Sequence, residues 1–135
     1  MGATQLIVDA SAILAILFEE PEGREMEDAL AASLTPPAMS PVNFLEASVR
    51  IDQLKSASKS RKLDELLRLA SVEIARITPE QAHLAREAYR RYGKGNHEAR
   101  LNLGDCFAYA LAKARGEPLL FKGDDFRHTD IEAVL

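Results

Sequence analysis

Cysteine is nearly absent. Cys106 stands alone, which excludes an internal disulfide and any metal site built from several thiolates. Long apolar runs are missing too. The first apolar stretch, LIVDASAILAIL at 6–17, is interrupted by Asp9, and no uninterrupted run reaches the ~18 residues that a membrane-spanning helix needs. No cationic segment precedes that stretch, so it does not read as a secretory leader, and a cytoplasmic protein is expected. Nor is there a repeat at 20–50 residues, a low-complexity tract or a linker-like stretch, so residues 1–135 read as one domain. An excess of positive charge is also lacking: the formal net charge of −4 argues against a protein wrapped in nucleic acid.

What is present is a core and an uneven charge pattern. Apolar residues make up 47% and charged residues 28% of the chain, which suits a globular protein with a substantial interior. Residues 19–28, EEPEGREMED, hold six acids against Arg24. Two segments run the other way: 50–68 with Arg50, Lys55, Lys59, Arg61, Lys62 and Arg68, and 86–100 with Arg86, Arg90, Arg91, Lys94 and Arg100. These are either solvated helix faces or a basic rim that steers a polyanion. Charge alone favours the first.

The patterning alternates strands with helices. QLIV (5–8) reads as a buried strand, followed by a helix over SAILAILFEE and another over EGREMEDALAAS. LTPPAMS is a break with room for a short strand. Ser40 then Pro41 is a helix start, a capping hydroxyl before proline at the first helical position, and the helix runs on through VNFLEASVRIDQLK. SASKS reads as a polar interruption before RKLDELLRLASV, which carries Leu63, Leu66, Leu67 and Ala70 on one stripe. VEIARI (72–77) reads as a strand through Val72, Ile74 and Ile77. Thr78, Pro79 and Gln81 give a second helix start with the spacing of a capping box. LGDCFAYALAKARG is a helix closed by Gly116, PLLF a strand, KGDDF a loop and IEAVL a possible last strand. The expected fold is α/β, a parallel sheet with helices on both faces.

In such a sheet, ligands sit beyond the carboxyl ends of the strands. Asp9 follows its strand directly. Asp124 and Asp125 come shortly after PLLF. Asp105 lies in the first turn of its helix, and Glu46 in the first two turns of the helix begun by Pro41. Each has a local explanation: Asp9 as a helix cap, Asp105 as the acid answering an Asn102 cap, Glu46 as a partner of Arg50 one turn on, Asp124 and Asp125 as turn formers. Jointly they suggest convergence. Several carboxylates in one place repel each other and resist ionisation. A hard divalent cation, Mg²⁺ or Mn²⁺, relieves this, since all the donors are oxygens, and it suits phosphodiester hydrolysis.

These residues also carry a resemblance. IVDASAILAILFEEPE, SPVNFLEASVRI and LNLGDCFAYALAKARGEPLLFKGDDFRHTDI stand in the order, and over nearly half the length, in which the sequence resembles PIN-domain ribonucleases of the VapC type, toxins of prokaryotic toxin–antitoxin pairs. The resemblance implies a three-layer α/β/α domain with a central parallel sheet, with Mg²⁺ or Mn²⁺ held by Asp9 and Asp105 and Glu46 as the third acid. A fourth acid belongs to the KGDDF loop. Many relatives place an acid or asparagine three residues before the phenylalanine, where this chain has Gly123, so Asp124 is the expected substitute and Asp125 braces the loop. Ser11 matches a hydroxyl supporting the first aspartate, and Asn43 sits one turn before Glu46. RNA as substrate, a homodimer and a VapB-type antitoxin are implied, and Arg50, Arg90, Arg91 and Lys94 become candidate phosphate contacts. Two other classes stay open: a degenerate PIN-like module that binds RNA or antitoxin without cutting, and a small phosphoryl-transfer domain. A phosphatase of the haloacid-dehalogenase type would want an aspartate where Ser11 stands.

Overall fold

The computed structural model describes residues 4–135. Its sheet is four-stranded and parallel, in the order β3-β2-β1-β4, from β1 (Ile7–Val8), β2 (Ala38–Met39), β3 (Glu73–Ile74) and β4 (Leu119–Leu120). Ile7 lies between Ala38 and Leu119, and Val8 beside Leu120. Successive side chains of a strand point to opposite faces. Ile7, Ala38 and Leu119 therefore enter one core, closed by α5 (Pro79–Tyr92) and α6 (Leu103–Arg115). Val8, Met39 and Leu120 enter the other, closed by α1 (Ala10–Leu17), α2 (Gly23–Ala31), α3 (Pro41–Asp52) and α4 (Ala57–Leu69). Ile7, Val8, Leu119 and Leu120 are fully buried, which is why these strands read as unbroken apolar runs. The expected three-layer α/β/α arrangement is the one formed.

Several boundaries differ from the sequence reading. SASKS is no interruption: Ser56 accepts a hydrogen bond from the Lys59 N–H and α4 begins at Ala57. The strand expected over 72–77 shrinks to two exposed residues at the sheet edge, and the residue that turns inward is Ala75 rather than Ile74 or Ile77. The capping box at Thr78 is half-formed. The Gln81 N–H reaches Thr78 Oγ1, but the Gln81 amide turns back to the Arg76 carbonyl. IEAVL contributes one bridge, Ala133 beside Leu119, rather than a fifth strand. At the end of α6, Gly116 takes the left-handed conformation expected of a helix-closing glycine, φ +64°.

The connectivity creates a crevice. From β1 the chain crosses to β2 on one side, and β4 later docks on the other. Adjacent strand ends whose connections diverge leave a gap at their carboxyl edge. Asp9, bonded through its N–H to the Leu120 carbonyl at 3.0 Å, stands at that gap.

Candidate active site

Asp9 is both a cap and an acid with an open valence. As N-cap of α1 its Oδ2 accepts the Ser11 N–H at 3.0 Å and the Ser11 hydroxyl at 2.6 Å. Its Oδ1 is buried and has no partner. Burial pushes the carboxyl up to about 6, against the pull of the Ser11 bonds and with help from the Glu46 charge. Ser11 Oγ in turn accepts the Lys122 N–H at 3.0 Å, so the hydroxyl ties Asp9 to the loop that follows β4.

Asp105 is the N3 residue of a complete capping box. Asn102 Oδ1 accepts the Asp105 N–H at 2.9 Å, and Asp105 Oδ2 accepts the Asn102 N–H at 3.0 Å. The remaining carboxylate oxygen is not needed by the helix. Burial, then the charges of Asp9, Asp125 and Glu46, push this carboxyl up to about 7.

Glu46 is held from the side by Asn43. The fully buried Asn43 amide donates to Glu46 Oε1 at 2.9 Å and to the Gly104 carbonyl at 3.0 Å. This bolts α3 to the start of α6, one residue before Asp105. The Glu46 carboxylate lies directly against Gly104, where a Cβ would collide with it. The ion pair of Glu46 with Arg50 expected from their spacing is not made. Gly104 went unnoticed in the sequence. Its only signal was a poor helix former in the first turn of a well-capped helix.

The loop after β4 carries both candidates for the fourth acid. Gly123 takes φ +100°, a conformation L side chains rarely adopt, so the position where relatives carry an acid is reserved here for the turn. The loop acid whose charge weighs on Asp105 is Asp125. Asp124 precedes the 3-10 turn Asp125–His128 and offers its carbonyl to the Arg127 N–H. Lys122, also unnoticed, anchors the loop: its Nζ lies 2.6 Å from Glu20 and 3.9 Å from Glu22.

Asp9, Ser11, Glu46 and Asp105 line one cleft of about 570 Å³, whose other wall is Leu14, Val42, Leu45 and Val49, with Arg50 at its edge. Arg90, Arg91 and Lys94 are not brought to it. Arg90 and Arg91 lie in the last turn of α5, the helix packed on α6, where Arg90 pairs with Glu87 at 3.8 Å and Arg91 lies over Tyr92, and Lys94 follows just past the helix end. Among the described residues no three acids or imidazoles close into a finished metal cage. The donors nevertheless fit a hard divalent ion: they are all oxygens, two carboxyls resist ionisation, and Asp9 presents a buried oxygen that nothing satisfies.

A parallel α/β/α sandwich with carboxylates gathered at the β1 strand end defines a class, and comparison with known proteins gives its family. The chain belongs to the PIN-domain family, whose profile matches residues 6–132. It is 47% identical over 129 residues to the protein named Ribonuclease VapC of Mycolicibacterium smegmatis, covering 96% of this chain and 99% of the relative. The fold matches that of Mycobacterium tuberculosis VapC20, described as a Sarcin-Ricin loop cleaving toxin, with TM-score 0.75, 16% identity and coverage of 96% and 98%. It also matches a chain of a toxin–antitoxin complex from Klebsiella pneumoniae, with TM-score 0.68, 21% identity and 93% coverage of both. No described helix is long and apolar enough to cross a membrane.

Proposed function

We propose that this chain is an endoribonuclease of the VapC type, dependent on Mg²⁺ or Mn²⁺ and acting as the toxin of a toxin–antitoxin pair. The observation that carries the reading is the bare, buried Oδ1 of Asp9 in a cleft shared with Glu46 and Asp105. The identity to Ribonuclease VapC over nearly the whole chain supports the substrate class.

In this reading Asp9 and Asp105 hold the ion and Asp125 completes the acid set. A divalent ion so held supplies Lewis acidity toward a phosphodiester and makes water a better nucleophile. Ser11 keeps the Asp9 carboxylate oriented through Oδ2, leaving Oδ1 free. Asn43 restrains Glu46 at Oε1, leaving Oε2 to accept the proton given up by the attacking water. The apolar wall of Leu14, Val42, Leu45 and Val49 lowers the local dielectric and strengthens these interactions. The same wall beside the acids suits a VapB-type antitoxin that presents an apolar segment and a basic side chain. A homodimer is the expected form of the toxin.

The test is cleavage of RNA with Mn²⁺ and with EDTA, with cut ends sequenced. Cutting that needs the metal and vanishes in Asp9→Asn supports the nuclease. Phosphate release from small monoesters without RNA cleavage would point to a phosphoryl-transfer domain, and neither activity to a binding module.

A further inference from the structure

The acidic cleft and a second, smaller one have no lining residue in common, but a contact between Arg50 and Phe18 links them. Arg50, in the last turn of α3, lines the acidic cleft, and its guanidinium lies 5.7 Å from the centroid of the Phe18 ring. Phe18 closes α1 and also walls a smaller cleft of about 170 Å³, bordered by Lys59 and Lys62 of α4. Lys59 and Lys62 are exposed and three residues apart, hence neighbours on one helix face. Glu19 is the one acid on that second wall.

None of the three cations makes an ion pair among the described residues. This contrasts with Lys122 in the loop after β4, whose ammonium is held by Glu20 and Glu22. A net charge of −4 and a cluster of carboxylates both repel a polyanion. A strand that must put one phosphate among those acids needs cations close by, and uncommitted ones. A guanidinium resting on an aromatic ring is partly ordered before a phosphate arrives and loses less freedom on binding it.

We propose that Arg50, Lys59 and Lys62 form a track for the phosphate backbone of the RNA strand flanking the scissile bond, leading away from the acids across Phe18. This rests on the nuclease reading. It keeps Arg50 as a phosphate contact and puts Lys59 and Lys62 in place of Arg90, Arg91 and Lys94, because Arg50 lines the acidic cleft and rests on Phe18, which walls the cleft that the two lysines border. Lys59 and Lys62 steer and hold the strand, and Arg50 positions its first phosphate outside the acid cluster.

The charge reversal Lys59→Glu with Lys62→Glu tests it. Both side chains are exposed and free of hydrogen bonds in the structure, and Lys59→Glu sets a glutamate three residues after the Ser56 cap, an arrangement that favours the helix. Binding of a mixed-sequence single-stranded oligoribonucleotide is followed by fluorescence anisotropy in EDTA across a salt series. The expected result is affinity lower by about tenfold or more, with the slope of log K against log salt smaller by about 1.4 for two lost phosphate contacts. In the Mn²⁺ cleavage assay KM rises while kcat is kept, since neither lysine reaches the reacting atoms. A wild-type protein that cuts RNA, with the double variant binding at full affinity and unchanged slope, overturns the track alone. So does a loss confined to antitoxin binding, which would assign these cations to an acidic protein segment. A wild-type protein that neither binds nor cuts RNA overturns the nuclease reading and the track with it.

Discussion

The Glu46 carboxylate rests on the Cα of Gly104, with no room between them for a methyl group. Gly104 has ordinary helical geometry, so alanine there strains no backbone and improves helix propensity by up to ~1 kcal/mol. What must move is the end of the Glu46 side chain. Gly104→Ala should therefore fold with an unchanged or slightly raised Tm while RNA cleavage falls at least about tenfold, roughly 1.4 kcal/mol of transition-state stabilisation. Thermal melts beside cleavage rates check this. Full activity would mean that Glu46 has no part in the reaction.

Ser11 stands between Asp9 and the Lys122 backbone, donating to one and accepting from the other. Alanine removes a bond to a charged acceptor, worth about 1.5–3 kcal/mol, and leaves the Lys122 N–H unpaired. Ser11→Ala should lower both stability and Mn²⁺ affinity, and Ser11→Thr, which keeps the hydroxyl, should restore most of each. Calorimetric titration with Mn²⁺ separates the two variants.

The raised carboxyls make stability fall as pH rises. Asp9 ionises near 3.8 in an unfolded chain and near 6 here, and Asp105 near 7. The folded protein thus keeps protons that the unfolded chain has released. The stabilisation from these protons is complete below about pH 4 and is lost as pH climbs through 6 to 7. For the buried Asp9 the loss is on the order of 2–3 kcal/mol. Denaturant melts in EDTA should show the metal-free protein less stable at neutral pH than near pH 5, and Asp9→Asn should flatten that dependence and raise the neutral-pH stability.

A divalent ion takes the place of those protons. Mn²⁺ should therefore raise Tm strongly at about pH 8 and only weakly at about pH 5, where it competes with bound protons. Asp9→Asn and Asp105→Asn should lose the shift. Equal shifts in wild type and both variants would place the ion elsewhere.

The two loop acids differ in what they act on, since Asp125 contributes to the field at Asp105 while Asp124 leads into the 3-10 turn. Asp125→Asn should reduce RNA cleavage and lower the apparent pKa of the pH–rate profile, and Asp124→Asn should leave both near wild type. The reverse ranking would make Asp124 the fourth acid.

The parts readable in the sequence were those set by neighbouring residues. QLIV and PLLF announced buried strands because both of their faces meet helices. Ser40–Pro41 and Asn102–Asp105 announced helix starts because a cap acts within one turn. Where the reading failed, a different partner or a different inward-facing residue had won. The Gln81 amide found the Arg76 carbonyl instead of closing a capping box, and the edge strand turned Ala75 inward instead of Ile74. The acids were legible as a set, but their individual states were not.

Sequence alone determined the order of strands and helices, most helix starts and the presence of acids at strand ends and helix starts, because periodicity, capping and turn chemistry act over a few residues. Only the tertiary structure decided that Asp9 keeps one oxygen bare, that Gly104 makes room for Glu46, and that Arg50 lines the acidic cleft while Lys59 and Lys62 border a separate one. Each of these depends on groups tens of residues apart meeting at fixed distances in a packed interior, and no local rule encodes such distances.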